Sequence, residues 1–164
     1  MTSQATQLQE DFKVLLDKYL NDRPDAYNWV VAFWNLGHQI DDVIDIPERR
    51  ADNSYLGLVW AKYLNVLSDP FYHRYIVPLR PVVMMMHHVY MDSIAWEHSD
   101  VSWKATFADV LRCSGSALII AVVEIVVYEK TGSYDAAYEA AREISLAAKE
   151  CAWNMHHTDK GEKV

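Results

Sequence analysis

His38, Asp41, Asp42 and Asp45 stand at i, i+3, i+4 and i+7 of the segment HQIDDVID, and that spacing puts all four on one face of a helix. Asn35 extends the stripe one step back. Short carboxylates are hard oxygen ligands suited to Mg2+, which keeps several waters and shares one or two carboxylates with substrate phosphates. The remaining positions of the same stretch, Trp29, Val30, Phe33, Leu36, Ile40, Val43, Ile44 and Ile46, are apolar and are expected to be packed. A polar stripe on such a helix is either its solvent-facing side or the wall of an internal site. Like charges one turn apart repel, and three carboxylates near a helix C-terminus oppose the macrodipole, so the cluster calls for a counter-charge such as a divalent cation.

The longer segment HQIDDVIDIPERR resembles the first aspartate-rich motif of isoprenyl diphosphate synthases, DDxxD followed by paired arginines. The resemblance implies that Asp41, Asp42 and Asp45 bind Mg2+ that clamps a diphosphate, with Arg49 and Arg50 on phosphate oxygens. It covers residues 38–50. That family carries a second aspartate-rich motif on a facing helix, and no second DDxxD occurs here. The candidates to replace it, as ligands or in support of ligands, are Glu124 within IIAVVEIVV, or Asp92 with His88 one turn before it.

Other constellations carry less chemistry. Asp109, Cys113, Ser116, Ile120 and Glu124 form a stripe with Arg112 beside it, and a charged Glu124 in so apolar a run would need a partner. His87 and His98 lie near the His88/Asp92 pair, but the HExxH zinc spacing is absent, and His156, His157 and Asp159 sit where chain ends fray. The six tryptophans and VVMMM at 82–86 read as core.

The elements that must position these groups are helices. The pattern predicts them near 5–21, 26–46, 53–67, 70–97, 101–130 and 134–158, with Asp25 capping the second and Pro47 ending it. Pro78 and Pro81 are expected to split the fourth, Ser99 or Asp100 to cap the fifth, and Gly132 to close it. Five glycines and five prolines in 164 residues are too few for a many-stranded sheet. The fold class expected is therefore all-α, a single-domain bundle of five or six helices, with the second and fifth near its centre. If those two helices face each other, their stripes make one acidic site.

A net charge of −8 with no basic patch excludes a nucleic-acid surface. Ser114–Glu129 is too short to span a membrane and holds Glu124, so it reads as a buried central helix. Cys113 and Cys151 lack metal-site or redox spacing and read as buried thiols; the opening MTSQATQLQEDF lacks a signal-peptide pattern, and both predict a cytoplasmic protein. Three functions fit. The first is a Mg2+-dependent all-α enzyme acting on a small diphosphate-bearing substrate. The second comes from a similarity in size, helical content and acidic pairs to the compact all-α nucleotide pyrophosphatases, a resemblance that implies a dimeric nucleoside triphosphate pyrophosphatase. The third is a non-enzymatic helical interaction protein, and homo-oligomerisation is open in all three.

Overall fold

A computed structural model of the chain describes residues 13–97, 99–101, 103–104, 107–108, 111 and 115–159, with backbone only for 149–159. Those residues are helical with no strand, so the all-α class holds. Seven helices are delimited: α1 (Pro24–Asp45), α2 (Pro47–Ala51), α3 (Asn53–Leu67), α4 (Pro70–Arg74), α5 (Ile76–Glu97), α6 (Ser116–Thr131) and α7 (Tyr134–Asp159). The count is near the five or six expected, the excess being the one-turn helices α2 and α4. None of the helices, over the described residues, is long and apolar enough to cross a membrane.

The chain divides into two compact units, one of residues 23–77 and the other of 1–22 with 78–164. In the first, α1 packs on α3, with α2 and α4 as connectors. Its core is aromatic. Trp29 is buried, lies parallel to Tyr72 at 5.6 Å and tilted against Phe71 at 5.6 Å, and donates from Nε1 to the Val66 carbonyl at 2.9 Å. That bond satisfies the one polar atom of a large apolar ring, so Trp29 locks α1 to α3 without leaving a donor unpaired.

The connectors follow from prolines and caps. Pro47 sits at the first position of α2, and Ile46 takes an extended conformation that ends α1. The side chain of Asp52 accepts from the amides of Ser54 and Tyr55 at 2.9 and 3.2 Å, and that of Asp69 accepts from Phe71 at 2.7 Å. At the start of α1, Arg23 occupies the cap position and Pro24 the first turn; Asp25, expected to be the cap, is instead in the first turn, bonded to Arg23 at 3.1 Å. The break in 70–97 falls at Tyr75, not at the prolines. Pro78 explains it, because its ring clashes with the carbonyl four residues back, at Arg74. Once α5 has restarted at Ile76, Pro78 lies in a first turn where no intrahelical amide is needed, and Pro81 is accommodated within the helix.

In the other unit α6 and α7 form a hairpin. Leu118, Ile119, Val122, Val123, Val126 and Val127 of α6 are buried, as are Ala137, Ala140, Ala141 and Ile144 of α7 at i, i+3, i+4 and i+7. The turn between them is Gly132 in the left-handed region, φ 66°, as its position predicts, followed by Ser133, whose Oγ accepts from the Ala136 amide at 3.2 Å. Lys130 binds Asp22, and Lys18 and Tyr19 both donate to Glu143. Burial on α5 follows a single line, Leu79, Met86 and Ser93, seven residues apart.

Several sequence expectations change here. α6 is buried on one broad face only, and Glu124 on its other side is exposed, so its charge is solvated and needs no partner. Trp60 and Trp103 are exposed, as are Met84 and Met85, so these residues are not core. Of the apolar set on α1, Trp29, Val30 and Leu36 are buried, Phe33, Ile40, Val43 and Ile44 are half-buried, and Ile46 is exposed. Asp109, Arg112, Cys113 and His98, and the side chains of Cys151, Trp153, His156, His157 and Asp159, lie outside the described residues.

Candidate functional site

The C-terminal half of α1 presents two different faces, and helical geometry fixes their separation. At 100° per residue, the mean direction of Asp41, Asp42 and Asp45 lies about 150° around the axis from that of Ile40, Val43 and Ile44. The polar face is anchored on one flank: Tyr55 of α3 donates its hydroxyl to Asp42 at 2.9 Å, and the Arg49 guanidinium lies over the same ring, 4.6 Å from its centroid. Arg49 belongs to α2, so the short connector folds the arginine of the motif back onto the helix that carries its aspartates. Partial burial raises the Tyr55 hydroxyl above the usual tyrosine range, and its bond to Asp42 pushes in the same direction.

Asp41 and Asp42 are half-buried, while Asn35, His38, Asp45, Arg49 and Arg50 are exposed. The His38 ring meets Trp34 edge-on at 5.2 Å. His88, Asp92 and Glu124 are exposed and belong to the other unit, with His87 beside His88 at 5.7 Å between ring centroids. Among the described residues no three of His, Cys, Asp or Glu converge in a way that could hold a metal ion. Asp42 directs a carboxylate oxygen at Tyr55, and Asp41 and Asp45 stand at i and i+4 on the same polar face.

The opposite face of α1 forms a site that the acidic motif did not point to. Ile40, Val43 and Ile44 of α1 and Leu56, Gly57, Val59 and Trp60 of α3 line an open cleft of about 480 Å3 whose wall is almost wholly apolar. Because the aspartates lie across the helix from it, an apolar chain in this cleft joined to a diphosphate on Asp41 or Asp45 would have to pass around α1. The spacing that marks the cleft was in the sequence: Leu56, Trp60, Tyr63 and Leu67 on α3, and Phe33, Gly37, Ile40 and Ile44 on α1, each step by four, three and four residues, the period of helix-packing seams.

A second, more polar hollow of about 360 Å3 lies in the other unit, lined by Tyr19 and by Ala136, Glu139, Ala140, Arg142, Glu143 and Leu146 of α7. Both of its acids are already engaged, Glu139 by Arg142 and Glu143 by Lys18 and Tyr19. The Lys18 hydrogen bond, with that of Tyr19, holds the Glu143 carboxyl below the usual glutamate range. No known protein family, no characterised protein and no solved structure matches the chain.

Proposed function

We propose that the chain is a helical interaction protein, and that the Arg23–Val77 unit docks a partner helix in the apolar cleft between α1 and α3. The observation that carries this reading is α3 itself. Of its fifteen residues only Val66 is buried, while Trp60, Tyr63 and Leu64 are exposed on one side of the helix, Trp60 to 63%. A contiguous apolar patch beside an open cleft is the feature that distinguishes an association surface from scattered surface leucines. The test is the environment of Trp60 in dilute protein. With 5-fluorotryptophan in the chain and the Trp60 resonance assigned by Trp60→Phe, 19F NMR in H2O and D2O reads its solvent contact. A full isotope shift is expected. A Trp60 that is shielded while the chain sediments at single-chain mass means that the cleft is not free surface, and the docking reading fails.

One contact favours a second reading, in which the polar face of α1 binds Mg2+ and a diphosphate. Asp42 and Arg49 meet on the Tyr55 ring, which gathers a carboxylate and a guanidinium of the isoprenyl diphosphate synthase-like segment. Mg2+ would be held by one or two carboxylates of Asp41, Asp42 and Asp45 together with phosphate oxygens, and Arg49 and Arg50 would take the phosphate charge. Thermal melts with Mg2+ and pyrophosphate, on the native chain and on Asp41→Asn/Asp45→Asn, test it. A stabilisation lost in the double variant supports it, and replacing pyrophosphate with nucleoside triphosphates asks for the pyrophosphatase. No stabilisation of the native chain removes both enzyme readings.

A further inference from the structure

We infer that the helix that fills the α1/α3 cleft is α3 of a second copy of this chain, in a two-fold symmetric pair. The inference rests on the docking reading and names its partner. Three observations point to a copy.

The first is complementarity within one unit. The cleft needs an amphipathic helix with a wide apolar stripe, and α3 carries one at its rim: Leu56, Trp60, Tyr63, Leu64 and Leu67 recur on one side of the helix. A surface that contains both the cleft and the helix suited to it is self-complementary, as a two-fold interface requires. Its exposed residues, Trp60 and Tyr63 among them, are of the types that anchor interface centres.

The second is charge. The chain carries a net −8, so two copies repel over most of their surfaces. From Asn53 to Leu67 there is no Asp or Glu and one basic residue, Lys62. Two acidic chains can therefore meet along α3 without bringing carboxylates of that helix together.

The third is glycine. Gly57 lies in the middle of α3, and Gly37 in the middle of α1, where each weakens its helix relative to alanine. A Cβ built at either position meets nothing within 4 Å, so no contact among the described residues accounts for the missing side chain. Gly57 lines the cleft, and its missing side chain lets the backbone of another helix come close.

Sedimentation of the full chain across a wide concentration range, read beside the Trp60 fluorine resonance, tests the inference. The expected result is a mass that doubles with concentration while the Trp60 isotope shift disappears over the same range. Trp60→Lys/Leu64→Lys should remain helical and stay at single-chain mass. Gly57→Leu should melt no lower than the native chain, since its side chain enters open space, yet associate at least about tenfold more weakly, because the added volume occupies the place of the neighbouring backbone. A single-chain mass at every concentration with Trp60 still wet overturns the copy as occupant and leaves docking of a different helix standing. Trp60 shielded at single-chain mass overturns docking itself. A Gly57→Leu chain that pairs as tightly as native overturns the close approach at Gly57, and with it this packing of α3 in the cleft.

Discussion

Both ends of α1 carry apolar residues on one face, and those residues have opposite fates. At the N-terminal end Ala26, Trp29 and Val30 are buried, and Trp29 is held by Phe71, Tyr72 and the Val66 carbonyl. Arg23 donates to Asp25 and to the Tyr75 hydroxyl at 3.1 and 3.2 Å, and Arg74 stands 3.6 Å from Asp25, which ties α4 to the first turn of α1. At the C-terminal end Ile40, Val43 and Ile44 remain half-open, and the helix beside them turns its tryptophan outward. The closed end has four elements to close it, α1, α3, α4 and the turn at Tyr75. At the open end only the one-turn α2 joins α1 and α3, and its Arg49 lies on the Asp42 side, so the groove on the Ile40 side stays open. Stability of the unit therefore resides at one end, and the surface available for recognition at the other.

The sharpest way to break that comparison is to remove the closed end. Trp29→Ala deletes the largest buried side chain and leaves the Val66 carbonyl without its donor, for a loss of about 3–5 kcal/mol. Urea unfolding of the variant reads it, with the cooperative transition moving to much lower denaturant. A loss under about 1 kcal/mol would mean that the aromatic cluster does not hold this unit together.

At the open end the sign reverses. Gly57→Ala adds a methyl group that meets no atom and restores helix propensity, so the single chain should gain about 0.8–1 kcal/mol. The comparison fails if the same denaturation experiment, run in dilute protein, shows Gly57→Ala destabilised.

The helices were legible because their signals are local. Pro24, Pro47 and Pro70 open helices, Asp52 and Asp69 cap them, and Gly132 closes one, each acting over a single turn. The burial of individual residues was less legible. Glu124 in its apolar run and Trp60 in its apolar helix have the same sequence signature as core neighbours, and only the number of elements packed around each separates them. The acidic stripe on α1 was correctly placed on one face, but Asp42 spends one oxygen on Tyr55, thirteen residues away, a contact that no spacing rule encodes. The cleft was not legible from the residues with chemistry, because its mark is an apolar period on two helices at once.

The ion pairs at the closed end should matter less than the rings they surround. The hydrogen bond from Arg23 holds the Asp25 carboxyl below the usual aspartate range, outweighing the opposing effect of partial burial. A folded-state pKa below the unfolded one means that the contribution is present above the unfolded value, about 3.9, and is lost as pH falls through the folded one. With the Asp25 side chain 39% exposed, solvent screening limits it to less than about 1 kcal/mol. Asp25→Asn should therefore lower the native melting temperature slightly at neutral pH, and the gap between the two chains should narrow as the solution is acidified below pH 4 or so. A gap that widens with acid would reverse the assigned sign.

The smallest effect belongs to the outer flank of α1, and its sign separates a surface from a site. Asp41 and Asp45 lie one turn apart near a helix C-terminus, where their mutual repulsion and the macrodipole both oppose them, and α1 has no basic residue in its last turn to offset this. Asp45→Asn, which relieves the repulsion and leaves the half-buried Asp41 in place, should raise stability by a few tenths of a kcal/mol without added ions. If the pair serves only as a solvated face, Mg2+ and pyrophosphate leave that ordering unchanged. If it forms a site, the ligands stabilise the native chain by RT ln(1 + [L]/Kd), about 2.7 kcal/mol at a hundredfold excess over Kd, and the native chain overtakes the variant. The inversion is the diagnostic, because repulsion relieved by substitution and repulsion relieved by a cation start from the same two carboxylates and end with opposite rank orders.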